Sequence, residues 1–379
     1  MSSAPEGLSP TPESRTPDLP PDPALAALPK SGVGLCLSGG GYRAMLFHLG
    51  SLWRLNEAGR LKTLTRVASV SGGSITAGVL GRAWPRLDFG PDGVARAFTT
   101  EVADPILALA GKTVDVPAVL LGLITGGVSK RVAGAYDRHL FHGATLQDLP
   151  DDTEGPLFII LATDLTDGVL VRMCRPYVRS YRTREFRTLS LPLAKAVAAS
   201  SAFPPFLSPA RLNMPDGTRF TLTDGGVYDN LGLEPVVKNC ATIYVSDGGG
   251  SFPIQAKPAT DWLMGTVRVL LTIQSEVGRL RRRQVVGALA SKRRTGGFWA
   301  IDTEPSGIPK HASTLPITDA QAAALAATPT RLAAIPEVQR HRIVNWGYAA
   351  ADSVLRSFVD PALPEPAGFP LPGGVGDTR

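Results

Sequence analysis

Residues 33–73 constrain this chain more than any other stretch. An apolar run, Val33-Gly34-Leu35-Cys36-Leu37, enters the turn Ser38-Gly39-Gly40-Gly41-Tyr42-Arg43-Ala44. Met45, Leu46, Leu49, Leu52, Trp53 and Leu55 then recur at helical spacing. A second apolar run, Val67-Ala68-Ser69-Val70, delivers Ser71-Gly72-Gly73-Ser74. Short, continuous apolar runs ended by glycine read as strands covered on both faces. The stretch is therefore strand, turn, helix, strand and a sharply presented serine. Strands linked through a helix lead to an α/β fold, expected here as a three-layer αβα sandwich with a mostly parallel central sheet. Ligands in such sheets bind at the carboxyl ends of the strands.

The rest of the chain continues the alternation. Strands are expected at 157–163, 168–173, 219–223 and 241–246, and helices at 75–80, 94–106, 117–124, 191–200, 261–289, 320–327 and 341–359. Residues 1–30 are rich in Pro, Ser, Asp and Glu, and are expected to be a disordered tail because they carry too little apolar surface to offset ordering. Residues 361–379, rich in Pro and Gly, are expected to fray likewise. Between the tails, 31–360 forms the expected catalytic domain, with 251–360 as a helical extension.

The glycine turn lets several backbone N–H groups converge where a Cβ would intrude, and the following helix adds its N-terminal dipole. Such a site holds a phosphate or a developing oxyanion. A P-loop would need Gly-Lys-Ser/Thr, which Tyr42-Arg43-Ala44 does not supply. Gly39-x-Gly41-x-x-Ala44 formally fits a dinucleotide fingerprint, but no Asp or Glu lies between residues 58 and 87 to hold a ribose. Ser69-x-Ser71-x-Gly73 has the form of a nucleophile elbow, with Ser69 in place of the first glycine. Ser71 could equally cap the next helix; Ser74 is a rival without a glycine two residues on. None of the five histidines, His48, His139, His142, His311 and His341, follows a strand end. Two aspartates do, Asp224-Gly225-Gly226 and Asp247-Gly248-Gly249, and either carboxylate could take a serine proton if burial raised its pKa.

Gly39-Gly40-Gly41-Tyr42-Arg43-Ala44, Ser69-x-Ser71-x-Gly73, Leu161-Ala162-Thr163-Asp164-Leu165, Ala198-Ala199-Ser200-Ser201-Ala202-Phe203-Pro204 and Asp224-Gly225-Gly226 occur in this order. Together they resemble the patatin-like phospholipases and, more distantly, the cytosolic phospholipase A2 catalytic domain. The match covers about residues 32–250. The resemblance implies a lipid acyl hydrolase with a Ser-Asp dyad: Ser71 as nucleophile, Asp224 as base, and the amides of Gly39, Gly40 and Gly41 as oxyanion hole. Asp224 is preferred to Asp247 because Gly226-Val227-Tyr228-Asp229-Asn230 continues the family pattern. Arg43 falls on the family's arginine, expected to support the loop. The alternative is a catalytically silent fold that binds lipid or a protein partner.

Three scattered cysteines, Cys36, Cys174 and Cys240, lack the spacing of a disulfide framework or a zinc site and fit a reducing, cytoplasmic compartment. No metal or other cofactor is expected. No secretory leader is visible, and no run approaches the roughly 18 apolar residues of a spanning helix. Between 251 and 300, nine Lys/Arg face two Asp/Glu. With Trp262, Met264, Phe298 and Trp299 nearby, that stretch suggests peripheral contact with an anionic membrane. Nucleic acid is not expected, since no recognition motif accompanies the charge.

Overall fold

The computed structural model describes residues 31–376, except 116–126, 181, 183–184, 205–206, 251–254, 256, 259–260 and 312–313. The tail expected at 1–30 and the helix expected at 117–124 lie outside the described residues. In chain order the main elements are β1 (Val33–Leu37), α1 (Gly41–Glu57), β2 (Arg66–Val70), α2 (Gly72–Ala83), α3 (Asp104–Ala110), α4 (Val128–Tyr136) and β3 (Leu157–Asp164). Then come β4 (Leu170–Met173), β5 (Tyr177–Ser180), β6 (Glu185–Arg187), α5 (Leu193–Ser200), β7 (Ala210–Asn213) and β8 (Arg219–Asp224). The short helices α6 (Gly226–Asp229) and α7 (Glu234–Val237) lead to β9 (Thr242–Asp247), α8 (Trp262–Ala290), β10 (Thr295–Ala300), α9 (Asp319–Ala326) and α10 (Glu337–Val354).

Among the described residues, the ten strands form one sheet, with the path β10-β9-β1-β2-β3-β4-β5-β6, β8 also pairing with β3 and β7 with β8. The strands from β10 to β3 run parallel, so the ends of β1, β2 and β9 open on one edge. Beyond β3 the wing is antiparallel. The alternation along the central strands explains the three layers. Leu35, Leu37, Val67, Phe158 and Ile160 enter a large core with α1, α2 and α10. Their neighbours Cys36, Ala68, Val70, Ile159 and Leu161 enter a second core with α7 and the end of α8. The mixed α/β sandwich with a parallel centre is as expected from the strand patterning.

Residues 251–360 are no appendage. β10 extends the parallel sheet, and its Gly296-Gly297 sequence conceals it from propensity. Helix α10 lies directly on α1, where Gly347 allows close approach: a Cβ there would stand 2.0 Å from the Phe47 carbonyl oxygen. A buried ion pair, Arg54 Nε to Asp352 Oδ1 at 2.7 Å, joins the same two helices. Residues 361–376 are also not frayed. Asn345 Nδ2 donates to the carbonyls of Leu371 (2.9 Å) and Gly374 (2.8 Å), and Leu363 and Val375 are buried. Prolines limit the entropy this segment loses on docking, which compositional reasoning overlooks. At 94–106, regular α-helix begins only at Asp104. Thr99–Ala103 before it is π-helical, so only the start of the expected helix is displaced, by a turn in which Asp92 Oδ1 accepts from Val94 N–H at 3.1 Å.

Candidate active site

Ser71 follows β2 at φ 52°, ψ −117°, a conformation that L-residues avoid. Its backbone stands at the N-cap position of α2, yet its side chain makes no capping hydrogen bond. The capping alternative therefore fails, and the hydroxyl is left available. The strain is held from behind by serines. Ser71 N–H donates to Ser200 Oγ at 2.9 Å, Ser200 Oγ and Ser74 Oγ are 2.8 Å apart, and Ser74 Oγ donates to Ser69 Oγ at 3.1 Å. Ser74, the rival nucleophile, is thus turned inward and committed. Ser69 tolerates the position of the missing glycine by directing its hydroxyl to the Ile159 carbonyl, 3.4 Å away.

The glycine turn lies against this elbow. A Cβ on Gly72 would stand 2.1 Å from the Gly41 carbonyl oxygen, so neither loop could close on the other with a larger residue there. Gly73 N–H donates to the Ser38 carbonyl at 3.1 Å. Of the three glycine amides read as oxyanion donors, the structure separates one from the others. Gly39 N–H is already committed to the Asn230 carbonyl at 3.1 Å. The amides of Gly40 and Gly41, with φ of 144° and 60°, have no hydrogen-bond acceptor among the described residues.

Asp224 ends β8, which pairs with β3 through Ala162. Oδ1 accepts from Gly226 N–H at 2.7 Å, while Oδ2 is buried without a fully formed hydrogen bond. The Ser71 hydroxyl is close enough to favour the carboxylate form, although the two lack regular hydrogen-bond geometry; such contacts are often loose before substrate binds. Burial is the larger influence and lifts the carboxyl to about 6. Asp247, the other strand-end candidate, accepts from Arg282 Nη2 at 2.8 Å, and Arg282 also reaches Asp302 at 3.1 Å. It ties α8 to the sheet.

Among the described residues, no histidine hydrogen-bonds with Ser71 or Asp224. His48, the histidine nearest the glycine turn in sequence, is fully buried; Nε2 donates to the Ser38 carbonyl (2.9 Å), and Nδ1 accepts from Ser246 Oγ (2.8 Å). Burial lowers it to about 4, so it remains neutral and serves to pin the loop. Ser246 continues to Ser51 (3.0 Å), which accepts from Trp299 Nε1 (2.9 Å).

Arg43 points away from Ser71. Its guanidinium donates to the carbonyls of Gly248 (3.2 Å), Ala326 (3.1 Å), Thr328 (2.6 Å) and Gly249. Tyr42 N–H donates to the Arg331 carbonyl at 2.9 Å, and Arg331 in turn pairs with Asp115 at 3.1 Å. Residues 326–331 are thus an outer brace of the glycine turn that the sequence reading missed, since carbonyl acceptors have no side-chain signature. Ser200 and Asn230 were also missed as supports. Tyr136 went unnoticed too; burial, with the Asp224 charge adding, pushes its phenol above the usual range. Among the described residues, no group of three or more His, Cys, Asp and Glu gathers to hold a metal.

The family model described as patatin-like phospholipase matches residues 35–237. Curated proteins give no match. Among solved structures the chain is similar to VipD from Legionella pneumophila, at 17% identity and a TM-score of 0.37, over 86% of this chain and 67% of that one. It is similar also to human GIVD cytosolic phospholipase A2 in complex with methyl gamma-linolenyl fluorophosphonate, at 15% identity and 0.45, over 85% and 57%. The type III effector protein ExoU matches at 18% identity and 0.24, over 68% and 54%. The chain therefore spans about two thirds of VipD and little more than half of the human enzyme.

Proposed function

Since the chain belongs to the patatin-like phospholipase family, we propose that it hydrolyses carboxylic esters of lipids, as a phospholipase A or lysophospholipase, through a Ser71–Asp224 dyad. One observation carries the reading. A strained, uncapped serine, a buried carboxylate lifted to about 6 and two uncommitted glycine amides converge where β1, β2 and β8 end.

In the first step, Ser71 Oγ attacks the ester carbonyl carbon and its proton passes to Asp224. The carbonyl π electrons move onto oxygen, and that oxyanion is held by the N–H groups of Gly40 and Gly41. Collapse re-forms the carbonyl, breaks the ester C–O bond and releases the alcohol, the lysolipid in the case of a phospholipid, which takes the proton from Asp224. Water then attacks the acyl-Ser71 carbonyl, giving its proton to Asp224. The second collapse frees the fatty acid and returns the proton to Ser71. Asp224 works as base because burial places its pKa near working pH, closer to the serine's than an exposed carboxyl's would be. Arg43, His48 and Ser200 position the loops without touching the substrate.

The test is product analysis on phospholipid vesicles. The wild type releases free fatty acid and lysophospholipid, whereas Ser71→Ala and Asp224→Asn release neither above background. Full activity in either variant would overturn the proposal. A folded wild type that binds vesicles but releases nothing would favour the binding-only alternative.

A further inference from the structure

Helix α8 runs for 29 residues, and its outward face has no cover among the described residues. Val285 and Ala288 pack beneath it into the second core, and Gln274 Nε2 donates to the Gly226 carbonyl at 3.1 Å. Turned away from those contacts are Trp262, Val269, Ile273 and Leu280, exposed by 82%, 57%, 56% and 37%. Steps of seven, four and seven residues place them along one line. Arg268, Arg279 and Arg283 lie along one flank, and the helix carries five arginines against one glutamate, Glu276. Arg282 reaches inward to Asp247 and Asp302, while Arg279 stays at the surface in an exposed pair with Glu276 at 2.8 Å. The helix also crosses the loop that follows Asp224, since Gln274 and Gly226 touch.

We propose that this outward face of α8 docks onto an anionic phospholipid surface. The proposal rests on the lipid hydrolase reading and names where its substrate is presented. An apolar stripe ending in tryptophan suits the boundary between headgroups and acyl chains. The arginine flank suits anionic headgroups and would repel a second copy of itself. Docking there sets the lipid surface beside the loop of Asp224, so an ester would have a short path to Ser71.

The experiment is co-sedimentation of the full chain with phosphatidylcholine vesicles, with and without phosphatidylglycerol, alongside hydrolysis of the soluble ester p-nitrophenyl butyrate. Wild type should partition onto the anionic vesicles, and raising NaCl from about 0.1 to about 0.5 M should release it. The double variant Trp262→Ser/Ile273→Ser should partition about tenfold more weakly. Arg279→Gln/Arg283→Gln should lose the preference for phosphatidylglycerol. Both should keep wild-type soluble-ester turnover, which also reports that they fold. Undiminished binding by Trp262→Ser/Ile273→Ser, or equal binding to both vesicle types by wild type, would overturn the proposal. So would a wild-type dimer that Trp262→Ser/Ile273→Ser dissociates, because a second copy would then cover the stripe. Failure of soluble-ester hydrolysis in wild type would instead count against the catalytic reading, and the vesicle result would stand by itself.

Discussion

Asp224→Asn should abolish activity and at the same time stabilise the protein at neutral pH. The carboxyl is buried and lifted from an ordinary 3.8 to about 6, so folding opposes its ionisation. A group whose pKa rises on folding supports the fold fully below its unfolded pKa and loses that support as pH climbs through the folded value. The difference of about two pH units, at about 1.36 kcal/mol each, makes the ionised form cost about 3 kcal/mol at pH 8. Asparagine has the same shape, can still accept from Gly226 N–H, and never ionises. Its advantage should therefore be near zero at pH 4 and about 3 kcal/mol at pH 8. With an unfolding entropy of about 2.1 cal/mol/K per residue, that is roughly 4 °C in Tm. Thermal unfolding of both proteins at the two pH values reads this directly. Equal or lower Tm for the variant at pH 8 would refute the reasoning, as would a gain of the same size at pH 4.

Three further outcomes follow from the same geometry. On a soluble ester, kcat/KM should rise with pH through about 6 along a single ionisation and then level, because the base must be ionised; a profile flat across pH 5 to 7 would exclude Asp224. Ser200→Ala removes the acceptor of Ser71 N–H and should lower kcat roughly tenfold to a hundredfold with little change in KM; a change confined to KM would show that Ser200 serves substrate binding instead. Arg54→Met leaves Asp352 buried and poorly paired and should cost about 3–5 kcal/mol in chemical denaturation, most of it recovered in Arg54→Met/Asp352→Leu.

The centre of the fold was legible because its chemistry is local. β1 and β2 occupy the bounds expected from their apolar runs, since a strand buried on both faces can be little else. What escaped depended on distant partners. β10 is a strand because β9 offers it a ladder, and its glycines give no propensity signal. Residues 361–376 are ordered by distant partners that composition does not weigh: the buried amide of Asn345, Arg54 donating to the Pro364 carbonyl, and Arg356 paired with Glu365. In the site, the serine, the aspartate and the glycine turn could be read in order. The distinction among the glycines could not, because it comes from Asn230, far along the chain, whose backbone carbonyl takes the Gly39 amide. Likewise, the carbonyls that hold Arg43 come from residues 248–249 and 326–328, and a backbone acceptor has no identity in a sequence.

The central claim is that Ser71 is the nucleophile, and covalent trapping tests it most directly. The full chain is incubated with an alkyl fluorophosphonate, and intact mass and peptide mapping locate the adduct. With Ser71 as nucleophile, wild type should carry one phosphonyl group, on Ser71, and Ser71→Ala none. An adduct on Ser74 or any other residue, or a folded wild type that never labels, would contradict it.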